Sequence, residues 1–273
     1  ATTNAATADA KAVTADGKAV TADGKAVAAQ TTANTGVTNA ATADAKAVTA
    51  DAKAVTADAK AVAAQATADR ANTSLLNVMA NGANMVYDGG FENAYLWNPY
   101  PSALGLAEWS TEQAHSGLRS MKFVMAGTAY KSQSLMGQPD RTVRASWPTD
   151  GTRKFYIEAW VYPAASNSHA AGFISINTPV AKSDGGTDYH IKQVNTSTLT
   201  KGVWQKVSTT VAVASNAVSI YAYLRNDSSI TVGDTFFWDD ARVVDITDAY
   251  DAKVAADAAQ ATANTAVTNA ATA

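Results

Sequence analysis

The chain has 273 residues, 21 Lys and Arg against 24 Asp and Glu, a net charge of −3 and no cysteine. That balance leaves no electrostatic footprint for nucleic acid, the missing cysteines exclude a disulfide framework or a thiolate metal site, and no apolar run is long enough to cross a bilayer. The composition is divided: all six Trp, six Phe and six Pro lie between Phe91 and Trp238, so two physical classes of segment are joined.

The first segment, 1–83, is built on a seven-residue repeat. TADAKAV at 7–13 recurs as TADGKAV at 14–20 and 21–27 and as TADAKAV at 42–48, 49–55 and 56–62, and the spacer 28–41 is two sevens long, so the phase is kept. A seven-residue apolar period predicts helices that supercoil around partners. Valine at a would put Asp16 and Asp23 at d, a poor core. Valine at d instead puts Ala10, Gly17, Gly24, Ala45, Ala52 and Ala59 at a, with alanine at the outer c and f positions. This seam is thin, Gly17 and Gly24 each cost about 1 kcal/mol of helix propensity, and a lone helix of this composition is marginal; association is expected. In the spacer, Thr31 and Thr38 fall at a and Asn34 at d. Either they form polar layers that set register, or a short stutter brings Val37 into the core. After Asp69 the repeat decays towards Leu75, Leu76, Val78 and Met79, and Asn81-Gly82 signals a helix stop.

Residues 84–247 alternate apolar and polar residues in short runs separated by Gly, Pro, Asn, Asp and Ser, as at 154–161, 172–177, 204–213, 217–224 and 235–244. Many short strands over some 160 residues predict a sandwich or jelly roll. From Asp248, a plausible N-cap, a helical pattern resumes, and 257–273 closely copies 27–43. The chain stops where another TADAKAV would follow, as expected for a piece of a longer fibre.

Five stretches carry a resemblance: NMVYDGGFENAYLW (84–97), HSGLRSMKF (115–123), KFYIEAWVY (154–162), GVWQKVSTTVAV (202–213) and GDTFFWDDARVV (233–244). In that order they resemble the strand motifs of carbohydrate-binding modules of families four, nine and twenty-two. The resemblance implies a jelly-roll β-sandwich with first and last strands adjacent, frequent glycan binding and often a structural calcium. Carried onto this sequence, the ion's oxygens would come from Glu92, from Asp239 or Asp240, and from the backbone near Asp88 and Leu118; the competing reading makes Asp239 and Asp240 a solvated turn. Such modules also occur in bacteriophage tail proteins with long stalks, so the whole resembles a tail fibre or minor tail protein.

A binding face follows from alternation alone. With Phe155, Ile157, Ala159 and Val161 as core, Tyr156, Glu158, Trp160 and Tyr162 face the other way. With Val218, Ile220, Ala222 and Leu224 as core, Tyr221, Tyr223 and Arg225 do so, and with Ile174 and Ile176 inside, Phe173 lies opposite. Aromatic rings with a few polar groups suit a saccharide, whose C–H faces stack while its hydroxyls are hydrogen-bonded. The same face could instead meet the stalk, a neighbouring subunit or the loop 178–200. Trp204 and Trp238 are expected to pack inside, Trp97, Tyr100 and Trp109 to edge a groove or cap the core, and 183–189 to be a flexible loop.

Signs of catalysis are poor. His115, His169 and His190 have no metal-ligand spacing, and there is no nucleophile elbow or phosphate loop. Glu158 lacks the facing second acid that a glycosidase requires, and its expected partner is a hydroxyl or Arg225. The chain thus reads as α+β and multi-domain, a heptad-repeat coiled coil interrupted by an all-β jelly-roll sandwich: stalk 1–83, sandwich 84–247, stalk resuming at 248–273. The expected function is that of a non-enzymatic, homotrimeric virion tail protein, extracellular and bound to other tail proteins. Its sandwich would bind a host cell-surface saccharide, without nucleic acid or membrane insertion. The rivals are a structural decoration or docking domain, and a bacterial surface adhesin.

Overall fold

The structure, a computed structural model, describes residues 2–86, 88–93, 107–125, 131–134, 146–168 and 172–272. It divides into a helical unit, residues 1–67 with 258–273, and a sandwich unit, residues 68–257.

The helical unit takes most of α1 (Thr2–Asn81) and the end of α2 (Thr247–Thr272). Threonine is a weak helix former, yet here its hydroxyl donates to the carbonyl four residues back, Thr14 to Ala10, Thr21 to Gly17, Thr49 to Ala45 and Thr56 to Ala52, at 2.8–2.9 Å. Ala50, Ala54, Ala57, Ala61 and Ala64 are half-buried, as are Gln260, Ala263, Val267 and Ala270. Ala270 shares a cleft with Ala45, Thr49 and Lys53, and Ala266 shares one with Ala52, Thr56 and Lys60, so the two helices run antiparallel. The buried alanines are the c and f positions expected outside, whereas Val48, Val55 and Val62 of the expected seam stay exposed. Within this unit α2 returns along α1 rather than resuming a stem in the direction of α1.

The sandwich unit holds eleven strands: β1 (Ala107–Ser110), β2 (Ser120–Val124), β3 (Lys131–Ser134), β4 (Trp147–Pro148), β5 (Lys154–Pro163), β6 (Phe173–Lys182), β7 (Thr187–Asn195), β8 (Gln205–Ala212), β9 (Ala217–Ile220), β10 (Tyr223–Asn226) and β11 (Thr235–Asp245). Sheet A is ordered β1-β2-β11-β5-β8. In sheet B, β6 pairs with β7 on one edge and with β10 and β9 in turn on the other, and β3 and β4 lie beside β10 and β9. All pairs are antiparallel, and the inner faces meet over Phe123, Phe155, Ile157, Ile174, Ile176, Leu224, Phe236 and Trp238, none of them exposed. Trp238 Nε1 donates across this core to Asn226 Oδ1 at 3.1 Å.

The segment from Asn84 to Gly89 runs beside β11, through Met85 N to Val243 O and Ala241 N to Gly89 O, both 2.8 Å, so the two ends of the sandwich are adjacent. Gly82 ends α1 with its N–H on Val78 O; a Cβ there would lie 2.5 Å from both Val78 O and Val244 Cγ1, so the chain leaves the helix at a glycine. α2 begins at Thr247, whose N–H is met by Asp245 Oδ1 at 3.0 Å. Ile246 O takes the first helical N–H, from Tyr250, so Asp245 supports the start from just outside the helix and Asp248 lies in the first turn rather than at the N-cap.

Three other expectations change. The region 178–200 is not a covering loop: it supplies half of β6 and all of β7, joined by a tight turn with Gly185 at φ +82°. Val218 is 46% exposed, because a register shift at Ala181/Lys182 turns Ala217 inward instead. Trp204 is half-buried on the outer surface rather than in the core. Trp97 and Tyr100 lie outside the described residues.

Candidate functional site

Strand pairing divides the eight aromatic-face residues between opposite sides of the sandwich. Tyr156, Glu158, Trp160 and Tyr162 are on β5 in sheet A, whereas Phe173 on β6, Tyr223 and Arg225 on β10 and Tyr221 just before it belong to sheet B. Alternation identified outward parity correctly but carries no information on which sheet a strand joins.

The outer face of sheet A is largely occupied. One row across it runs Lys122, Phe237, Tyr162, and the next runs Asp239, Trp160, Lys206. Tyr162 leans on Trp204 and Phe237 with centroids 5.4 and 6.0 Å apart, and the imidazole of His115 stacks on Trp160 at 4.0 Å and 16°. Further along, Tyr156 is buried in a cluster with Leu75, Val78, Met79, Val244, Ile246, Ala249 and Tyr250. Its hydroxyl donates to Glu158 Oε2 at 2.7 Å. Burial first, then that carboxylate, raises its phenol above the ordinary value. Glu158, 6% exposed, also meets Arg242 Nη1 at 3.0 Å and Lys206 Nζ at 3.3 Å, and Arg242 Nη2 reaches Gly82 O at 3.1 Å. The expected hydroxyl partner is present, the arginine is Arg242 rather than Arg225, and the acid is part of the joint between α1 and the sheet.

The outer face of sheet B is more open. Register places Tyr223, Asn177 and Ile191 in one row and Arg225, Ser175 and Gln193 in the next, while Pro179 pairs with Tyr189 and takes a hydrogen bond from Tyr221 N at 2.9 Å. Phe173 is 39% exposed, Ile191 48% and Tyr189 65%. Between them Asn177 is only 9% exposed, and its Oδ1 is a buried acceptor with no hydrogen-bond donor among the described residues. A buried carbonyl without a donor costs about 1–3 kcal/mol, so such an atom calls for an explanation. Arg225 Nη2 pairs with Asp227 Oδ2 at 3.0 Å, which leaves this end of the face near neutral. Asn177 falls on the outward parity of 173–177 read from the sequence, whereas Tyr189 and Ile191 were missed because β7 was taken for a loop; the alternation of TDYHIKQVN was the available signal.

The acidic residues expected to hold calcium do gather at one corner. Asp88 accepts from Glu92 N and Asn93 N, and Glu92 Oε1 accepts from Leu118 N at 2.8 Å and Arg119 N at 3.0 Å. A Cβ on Gly117, at φ +61°, would lie 2.1 Å from that Oε1, so the close approach requires glycine. Asp239, fully buried, accepts from Asp240 N, His115 N and Ser116 N. Burial raises its pKa to about 6, against those N–H bonds. Asp240 sits at φ +46° in the β11 bulge and binds His115 Nδ1 and Ser116 Oγ at 2.6 Å each. Calcium takes six to eight converging oxygens. As arranged, these residues do not fit it: the carboxylates meet N–H and O–H donors, the Leu118 N–H is spent on Glu92, and among the described residues no three His, Asp or Glu side chains converge. What the corner does is tie the loop bearing His115 to the β11 bulge, and so hold the imidazole over Trp160.

No protein-family model matches the chain, and no curated protein does. Among the solved structures that resemble it are carbohydrate-binding modules and larger enzymes. A second family 16 module is 15% identical, with 59% of this chain and 99% of that one covered at a TM-score of 0.42. A xylan-binding domain of family 22 is 14% identical, covering 61% and 97% at 0.40. A family 61 module in complex with β-1,4-galactotriose is 15% identical, covering 60% and 99% at 0.40. Likenesses this distant leave the ligand to be argued from the chain's own residues.

Proposed function

We propose that the chain is a self-associating stem bearing a non-catalytic sandwich that binds glycans on the outer face of sheet B. The observation that carries this reading is the buried, undonated Asn177 Oδ1 set among exposed Phe173, Tyr189 and Ile191, with Tyr221, Tyr223 and Arg225 on the same face. A sugar hydroxyl would donate to Asn177 Oδ1 once the side chains over that buried atom part, while rings stack on the exposed aromatic side chains. Sheet A is the poorer platform, because His115 and the Glu158 cluster already occupy it. On a repetitive helical stem, such a face fits a virion tail fibre that reads host cell-surface or cell-wall saccharides; homotrimeric assembly, other tail proteins as neighbours and an extracellular virion location belong to this proposal. A structural docking domain and a bacterial adhesin are its rivals.

The test is binding of the full chain to a panel of bacterial cell-wall and capsular polysaccharides. Tyr223→Ala and Asn177→Ala are expected to weaken saturable binding at least tenfold, and Trp160→Ala to leave it unchanged. Loss in Trp160→Ala alone would move the site to sheet A; a folded chain that binds nothing would favour the docking domain. Calcium is a separate proposal with a structural requirement, since Glu92 must exchange its two amide partners for the ion. A rise in Tm on adding calcium, absent in Glu92→Gln, would support it, and an unchanged Tm would leave the hydrogen-bonded corner complete in itself.

A further inference from the structure

Every residue of α1 from Asn4 to Thr49 is exposed, a state in which so long a helix, rich in threonine and carrying Gly17, Gly24 and Gly36, is poorly stable. Where α2 packs, the alanines it half-buries from Ala50 to Ala64 are at c and f, and its clefts with α1 reach the still exposed a-position Ala45 and Ala52. Around a helix of 3.6 residues per turn the centre of the c and f face lies about 160° from the centre of the a and d seam, so the alanine face and the valine seam point away from each other. The exposures agree: Val48, Val55 and Val62, beside α2, are 63–65% exposed, and Val13, Val20 and Val27, where nothing packs, are 60–71% exposed. The return of α2 leaves the seam uncovered along its length.

We infer that a second copy of this chain docks on the seam from Val13 to Val62, parallel and in register, so that α1 is sandwiched between its own α2 and the second copy's α1. This rests on the self-associating stem proposed above and specifies its contact surface. The seam is about 75 Å long at 1.5 Å per residue, and a strip about 10 Å wide gives about 750 Å² per copy, within the range of stable specific interfaces. The occupant is the second copy's α1, because only there does the whole spacer meet like residues: its near-copy in α2 would set Ala261 against Thr31 and Asp257 against Val27. In parallel register Thr31, Asn34 and Thr38 of one copy meet the same residues of the other. A seven-residue slip sets Asn34 against Val27 or Ala41, and an antiparallel pairing leaves at least one of the polar residues facing valine or alanine. Buried asparagine selects register in this way. Asn34 Oδ1 takes a hydrogen bond from Gln30 Nε2 of its own helix at 2.9 Å, and its d position sets the residue on the pairing surface.

The chain has no cysteine, so single-cysteine variants of the full chain read the contact directly. Under mild oxidation, Val20→Cys and Val48→Cys are each expected to form covalent dimers at least tenfold faster than Ala22→Cys, which lies on the face away from the seam. Fast cross-linking of Ala22→Cys, or cross-linking only when Val20→Cys and Val48→Cys are mixed, would overturn the face or the parallel register. Sedimentation of the wild-type chain as a monomer at tens of micromolar would overturn self-association itself. Affinity for a short soluble oligosaccharide, measured by calorimetry on the same sample, does not depend on association, so failure here is distinguishable from failure of the glycan reading.

Discussion

At the scale of single residues, the charged groups with the most at stake are buried acids. Glu158 holds Tyr156, Lys206 and Arg242 together beneath the end of α1. Glu158→Ala leaves Arg242 facing an apolar cluster without its counter-charge, and denaturant melts are expected to show a loss of about 3 kcal/mol. Asp239 behaves differently. Its folded-state pKa, about 6, lies above the ordinary 3.8, so the folded chain keeps the proton at pH values where the unfolded chain has lost it. Its contribution to stability is fully present below about pH 4 and is lost as the pH rises through about 6. Asp239→Asn is expected to flatten that part of the stability profile in melts taken across the range. Neither role was legible in the sequence: Glu158 was marked only by its parity on a strand, and Asp239 by a resemblance, because the burial that defines both comes from elements distant in the chain.

At the scale of elements, the stem and the strands show how far periodicity reaches. The sevenfold repeat specified α1 in full, and its two glycine-bearing copies mark where it is weakest. Gly17 and Gly24 have nothing within 4 Å of a built Cβ, and the sister repeats place Ala45, Ala52 and Ala59 at the same heptad position. Gly17→Ala and Gly24→Ala are therefore expected to stabilise the stem by about 1 kcal/mol each, read as a higher midpoint in thermal circular dichroism. Among the strands, β5, β8 and β11 were legible because their alternation is regular. β7 was not, because the turn residues Ser183, Asp184, Gly185 and Gly186 directly before it suggested that the whole stretch was loop.

At the scale of the whole molecule, self-association and glycan binding are coupled through avidity. Several weak sites on one stem raise the apparent affinity for a polymer by roughly 10²–10⁴ where geometry allows simultaneous contact. Breaking the seam with Val20→Asp and Val48→Asp is expected to lower retention on a polysaccharide matrix by at least tenfold, while leaving affinity for a short soluble oligosaccharide unchanged in calorimetry. An equal fall in both would mean that the substitutions had damaged the sandwich itself.

The sequence by itself determined the two classes of segment, the helical nature of the stem, the outward parity of the contact residues on β5, β6 and the 217–226 run, and the acidic corner between 88–93, 115–119 and β11, but not the place of Tyr189 and Ile191 on β7. These are local or motif-level properties: a seven-residue period and a two-residue alternation are imposed by the backbone and are visible without any partner. Only the tertiary structure decided which sheet each strand joins, and hence that Trp160 and Tyr223 lie on opposite sides of the sandwich. It alone showed that α2 covers the alanine face of α1 and leaves the valines bare. The reason is physical. Pairing between distant strands and between distant helices depends on where the chain turns, and a sequence period marks each face of an element without stating what will meet it.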